Sequence, residues 1–418
     1  MVRVVLVSFL ITNCILGSGI VAIPFAFAET GLIPGIVLLL LACAMATLSM
    51  RFAVTAAKAQ GASEYDALAE KILGKLGAVL VNVFLFLNCF GCLLSCLIIW
   101  ADSIAPIAFC VCGDTCSQRY IVVAVLASIL VLPFCLLNNF GRLSWISFVK
   151  MILVPAMLVL LSVASISIKR EHFDILHRGT NILPGLGIML NGLVAGQCTF
   201  FAYKSLDHPS DRLWTACAFL GHFQSMVLVL AFGLLGFFMF GFDLVSNVFK
   251  NYDLNDSTVL VAQLLLGLAI LLSFPLNFFP TRTSIMNLVG IKSEGRLARV
   301  VVSLIIFYSC VAIAIFVDNL SFVLALCGTL TASCLSFLFP CLFYLITVFP
   351  YFKHEYEEKG FLAACKLKQS PETLETLLDE ETYKIKLSST GVVIALIIVI
   401  LAVLVMVAGT VETLRSYL

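Results

Sequence analysis

The chain has 418 residues, 61% of them hydrophobic and only 12% charged, with a mean hydropathy of +1.11. About a quarter of a soluble globular protein is charged, so half of the usual solvated surface is missing and a large soluble enzyme is excluded. The formal charge of +1 points to neither nucleic acid nor an acidic partner.

Runs of about 20 apolar residues recur, each long enough to cross a hydrocarbon core of about 30 Å as a helix. They predict an all-α integral membrane protein, a single transmembrane domain over 1–418 with eleven spans. These lie at roughly 4–28, 33–57, 77–101, 120–137, 144–168, 185–204, 213–240, 259–281, 298–317, 320–349 and 390–412. The first run resembles a secretion signal, with Arg3 before VVLVSFLI and the small Gly17 and Gly19 after it. It continues apolar to Ala28, longer than an h-region of about 15 residues, and is read as a membrane helix.

That first span carries NCILGSGIVAIPFAF, in which Gly17, Ser18, Gly19 and Pro24 all oppose a continuous helix. An unpaired backbone group in hydrocarbon costs several kcal/mol, so unwound backbone survives only where it lines a protein cavity. Glycine lets the chain leave helical geometry and lets a ligand approach the main chain. Pro24 has no N–H for the carbonyl of Ile20. A half-helix starting near Ser18 would aim free N–H groups at an anion such as an α-carboxylate. The carbonyls ending the first half-helix suit an ammonium or a small cation. The plainer alternative is that these glycines only let a neighbouring helix pack closely.

Between the third and fourth spans, FCVCGDTC places Cys110, Cys112 and Cys116 in a polar loop. Three thiols with no nearby histidine make a poor zinc site. A disulfide in an oxidising compartment would leave one thiol over. Most of the 16 cysteines, among them Cys89, Cys92, Cys96, Cys327 and Cys334, sit in apolar runs as small hydrophobes. Lys150 in the fifth span and His222 in the seventh are intramembrane ionisable groups, and so candidate proton carriers. Lys150 lies only eight residues from Arg142, and snorkelling to the interface is the favoured reading. For His222 it is an interhelical hydrogen bond.

The sixth span, with Asn191, Gly192, Gly196 and Gln197 near its middle, is the second interrupted one. Breaks five spans apart are the sequence mark of an inverted-repeat secondary transporter. The repeats would be 4–168 and 185–349, with broken helices 1 and 6 and an added helix at 390–412. The segment 351–389 has six Lys against eight acids. Within it, QSPETLETLLDE predicts a short amphipathic helix at the cytoplasmic surface. With the N-terminus cytoplasmic, 19 of the 25 Lys and Arg fall on the cytoplasmic side and 6 on the other, which sets the orientation. The glycosylation sequon at Asn255 then faces away from the cytoplasm. A second, at Asn319, lies close to helix ends.

TNCILGSGIVAIPFAFAETG resembles the first helix of the amino acid/auxin permease family, including its neutral amino acid transporters and fungal vacuolar relatives. In order along the chain, FFAYKSLDHPSDR, GLLGFFMFG, SFPLNFFPTR and FVLALCGTLTASCLSFLFPCLFYL are similar to the later helices of that family, from residue 4 to about 349. Members usually carry a long cytoplasmic N-terminal tail. Here the first span begins at once, so tail-based regulation is not expected.

The resemblance implies a secondary active transporter of neutral amino acids in a plasma or vacuolar/lysosomal membrane, coupled to Na+ or H+ and needing no other cofactor. The expected substrate site is Gly17, Ser18 and Gly19 for the carboxylate. Carbonyls near Cys14, Ala195 and Gly196 would take the ammonium, and Phe200 and Phe201 would wall the side chain. In sodium-coupled members, the asparagine before the helix-1 glycines and a hydroxyl in helix 8 help hold the ion, which implies Asn13 and Ser273. Some carriers of the wider superfamily put a helix-5 amine in the ion's place, which implies Lys150. An amino-acid sensor of the same fold is the alternative. A channel, an intramembrane enzyme and an ATP-driven motor lack their charge-lined pore, catalytic set or P-loop. Partners are the small-molecule amino acid and the bilayer, with no nucleic acid. No oligomeric state is implied.

Overall fold

Long apolar runs without internal caps fold as helices, because in a bilayer only a helix satisfies its own backbone. The computed structural model describes residues 2–112, 122–136, 143–167, 179–193, 195–206, 210–253, 256–291, 295–317, 319–348 and 389–417, and among these there is no strand. Among the described residues, eight helices are long and apolar enough to cross a membrane. A ninth span results if α1 (Val2–Ile15) and α2 (Ile23–Thr30) count as one, with a bend of 54° between Arg3–Ile15 and Ser18–Thr30.

Next come α3 (Leu32–Ala59) and α4 (Tyr65–Cys112). After them are α5 (Leu143–Ala164), α6 (Ile182–Leu193), α7 (Thr199–Lys204) and α8 (Asp211–Phe240). The last four are α9 (Ser257–Val289), α10 (Arg296–Phe316), α11 (Leu320–Val348) and α12 (Thr390–Tyr417). Of the predicted spans at 120–137 and 144–168, the described parts are 122–136 and 144–167. The first is helical over 122–135 with a turn at Val131, and the second is α5 itself.

Two boundaries differ from the sequence expectation. α4 starts at Tyr65 rather than near residue 77, because Gly74 (φ 71°, ψ −167°) joins two helices at a kink. That φ is one that L side chains avoid. Cys110 and Cys112 lie on the last turn of α4 rather than in a loop, since the apolar run carries the helix past Pro106. Cys116, Asn255 and 351–388, with the expected amphipathic helix, lie outside the described residues. Asn319 caps α11, its side-chain oxygen accepting from the Phe322 N–H at 3.1 Å.

In the bundle, α9 lies against α4 and α5, α8 against α1, and α6 against α2 and α11. The outer faces stay apolar, with Leu76, Ile305, Phe316 and Ile400 exposed, as lipid contact requires. Small residues let backbones meet. A Cβ on Gly328 would stand 1.7 Å from the carbonyl oxygen of Gly187, so α6 and α11 touch main chain to main chain. At one end of the bundle Lys58 pairs with Asp211, and Lys204 with Glu64 at 2.8 Å. At the opposite end Asp102 holds Lys250 at 2.9 Å and the Asn247 amide at 3.3 Å.

Candidate functional site

The first break begins where α1 loses its hydrogen-bond ladder. The Leu16 N–H still reaches back to the Thr12 carbonyl at 2.8 Å, but the Gly17 N–H turns to Ile15 at 2.7 Å. In a continuous helix Gly17 would bond the carbonyl of Asn13. Gly17 leaves helical geometry (φ −93°, ψ −145°), a tight turn covers Ser18–Ala22, and α2 follows. Pro24 falls in the first turn of α2, where a missing N–H costs nothing.

The second break follows Leu193. Ala195 is non-helical (φ −138°, ψ 43°), and a turn over Gly196–Cys198 leads into α7. The two breaks meet, because a Cβ on Gly19 would fall 2.5 Å from the Cα of Gly192. Gly19 therefore serves close packing. Gly17 has only the Ile15 carbonyl oxygen within 4 Å of its would-be Cβ, at 3.9 Å.

Between the breaks is a small polar cavity of about 10 Å³, at the limit for a single water. Cys14, Gly17 and Ser18 line it from the first break, and Asn191 and Gln197 from either side of the second. Asn88 of α4 and Asn277 of α9 complete the polar lining. Asn88 accepts from the Thr331 hydroxyl at 2.9 Å, and the Cys92 thiol contacts Asn191 Oδ1 at 3.8 Å. α11 is locally underwound into wide turns here, over Cys327–Ala332 and Cys334–Leu338. Such turns are frequent at functional sites.

Of the residues expected from sequence, the structure brings Cys14, Gly17 and Ser18 to this cavity. It places the others beside it. The Gly196 N–H donates to Ser336 Oγ at 3.2 Å. Ala195 is buried. Phe200 is buried edge-on to Tyr65, with centroids 5.4 Å apart, and Phe201 packs half-buried against the main core. Neither phenylalanine lines the cavity. Sequence reasoning assigned no role to Asn88 or Asn277. The signal was present, since each is a lone amide inside an aromatic and aliphatic run.

Lys150 requires a correction. It does not snorkel: it is 2% exposed, and its Nζ donates to the Asn13 carbonyl at 3.0 Å. The break explains why, because that carbonyl is the one Gly17 leaves. The ammonium of α5 stands in for the missing N–H of α1. Ser273 is buried on α9 with its hydroxyl bonded to Ala269 O at 2.7 Å. His222 is buried on α8, its Nδ1 2.9 Å from Ala218 O, and its Nε2 has no hydrogen-bond partner among the described residues. Among the described residues no group of three or more His, Cys, Asp or Glu could hold a metal ion.

An interior polar site built from two interrupted helices of a multi-span bundle defines an integral membrane protein whose unwound backbone faces a cavity rather than lipid. Residues 3–356 match the family model described as "Transmembrane amino acid transporter protein", and the chain belongs to that family. It is a membrane transporter, not an enzyme. It is 27% identical over 342 residues to the Danio rerio "Putative sodium-coupled neutral amino acid transporter 11", covering 80% of this chain and 76% of that one. The Homo sapiens protein of the same name is 24% identical over 326 residues, covering 76% and 80%. "Vacuolar amino acid transporter 6" of Saccharomyces cerevisiae is 26% identical over 297 residues, covering 68% and 65%. Among solved structures, a manganese transporter mutant of Eremococcus coleocola aligns over 98% of this chain and 95% of its own, at 10% identity and a TM-score of 0.46.

Proposed function

We propose that the chain is a secondary active carrier that moves neutral amino acids across a membrane by alternating access. The observation that carries this reading is the meeting of two broken helices around a polar cavity that contains no carboxylate or ammonium of its own lining. The substrate carboxylate meets the turn that starts at Ser18, and its ammonium meets carbonyls near Cys14 and Ala195. A cavity with room for one water is too small for an amino acid, so loading requires the breaks to part.

The fuller architecture is part of the proposal: eleven spans, repeats over 4–168 and 185–349, a cytoplasmic loop at 351–389 and an added helix at 390–412. The charge bias supports a cytoplasmic N-terminus. The yeast relative's name favours a vacuolar or lysosomal membrane over the plasma membrane.

We infer that the coupling ion is a proton. The names of the vertebrate relatives favour sodium, with Asn13 and Ser273 as oxygen ligands. Against that, the Lys150 ammonium sits at the Asn13 carbonyl, where a small cation would bind. A group that titrates in place does what an exchangeable ion does elsewhere. The test is uptake of labelled glutamine into proteoliposomes under an imposed proton gradient and, separately, a sodium gradient. Proton-driven accumulation is expected, with accumulation lost in Lys150→Gln. Sodium-driven accumulation lost in Asn13→Ala would overturn the proton reading. Binding without flux under either gradient would instead make the protein a sensor.

A further inference from the structure

Far from the cavity, two arginines lie near the seam of α9 and α10, and among the described residues neither has an acid as partner. Arg282 sits on α9, 4% exposed. Its Nη1 donates to Ser303 Oγ at 3.2 Å and Cys135 O at 3.4 Å, and its guanidinium lies 5.7 Å from the Phe279 ring centroid. Both hydrogen bonds come from Nη1, which leaves Nε and Nη2 for a ligand. Arg299, in the first turn of α10, stands one helical turn before Ser303, the residue that Arg282 bonds, and so on the same face of that helix. Its Nε is buried with no hydrogen-bond partner among the described residues. The ion pairs among the described residues are made by Lys58, Lys204 and Lys250, none by either arginine.

A buried charge costs several kcal/mol unless it is paired, and two like charges together cost more. The site is therefore built for an anion. We propose that Arg282 and Arg299 bind a phosphate group, carried by a lipid headgroup or by a soluble phosphate. A single carboxylate would offset only one of two guanidiniums, whereas a phosphate monoester carries a charge near −2 and three acceptor oxygens. Guanidinium forks match those oxygens two at a time. The position suits both sources. Arg282 is seven residues before the end of α9 and Arg299 is near the start of α10, about 10 Å or less from the end of the bundle. That end is the one the charge bias assigns to the cytoplasm, and basic pockets between helices on that side take phosphorylated headgroups. In sequence, the stretch between the two arginines contains Lys292, Arg296 and a single acid, Glu294. Lys292 and Glu294 lie outside the described residues.

The test uses the purified full chain. Binding and melting temperature are followed with inorganic phosphate as the soluble probe. The lipid probe is nanodiscs of phosphatidylcholine with and without phosphatidylinositol 4-phosphate. Arg299→Gln is the main variant, because its half-buried position tolerates the change better than Arg282. It is expected to weaken binding about tenfold, with Arg299→Lys intermediate because the point charge remains but the fork is lost. Stabilisation by the phosphorylated lipid alone identifies a headgroup, and stabilisation by inorganic phosphate as well identifies a soluble source; both support the site. No response to either probe in the wild-type chain overturns it, as does an equal response in Arg299→Gln. If phosphate binds only after Glu294→Gln, the chain neutralises its own arginines and the proposal also falls.

Discussion

The two breaks look alike in sequence and differ in structure. At the first, Gly17 opens onto the cavity and its neighbours have lost their helical partners. At the second, Gly196 is hemmed in, with Ser336 Oγ 2.6 Å and Leu335 O 2.9 Å from a would-be Cβ, and its N–H already bonded. One glycine makes room and the other lets α11 approach. The first break thus stays open to the cavity, while the second is held by the scaffold and contributes Gln197 beside the gap.

Substitutions can break this contrast. The largest effect is expected at Gly19, where a Cβ meets main chain that cannot yield. Gly19→Val should abolish monodisperse folded protein on size-exclusion chromatography. A folded and active Gly19→Val would show that the two breaks do not touch. Next is Gly17→Leu, which fills open space. Uptake should fall about a hundredfold, while elution and melting temperature stay near those of the wild type. Ser336→Ala removes the hydroxyl that holds Gly196, and should cost about 1 kcal/mol of stability, read from the melting midpoint. Affinity should change less than in Gly17→Leu, and the reverse ranking would mean that the second break is the ligand-bearing one. The smallest effect is expected at Glu64→Gln, below about 1 kcal/mol, because its pair with Lys204 is about half exposed.

Much of this was legible in the chain. Gly17 and Gly196 mark both breaks because few other residues would be placed at mid-span against the helix. The apolar runs and the family resemblance carried the rest of the framework. Three things were not legible. Lys150 was misjudged because its distance from Arg142 along the sequence says nothing about which way its stem leans. That depends on a carbonyl freed on another helix. Asn88 and Asn277 converge only through the packing of α4 and α9, which no single-helix pattern encodes. Phe200 was assigned to the site from its closeness to Gly196 in sequence, yet one turn of helix directs it to Tyr65 and Phe343 instead.

The Lys204–Glu64 and Lys250–Asp102 pairs, at opposite ends of the bundle, differ in how much water already reaches them. Lys204 and Glu64 are about half in water already, and separating such a pair takes little more than a thermal fluctuation. Asp102 at the far end is 6% exposed and shared between Lys250 and Asn247, so parting it means rehydrating a covered carboxylate before anything moves. Added salt screens the first pair and barely reaches the second. Rising ionic strength should therefore loosen the Lys204–Glu64 pair well before the Asp102 cluster, with no change at the cavity between the two breaks.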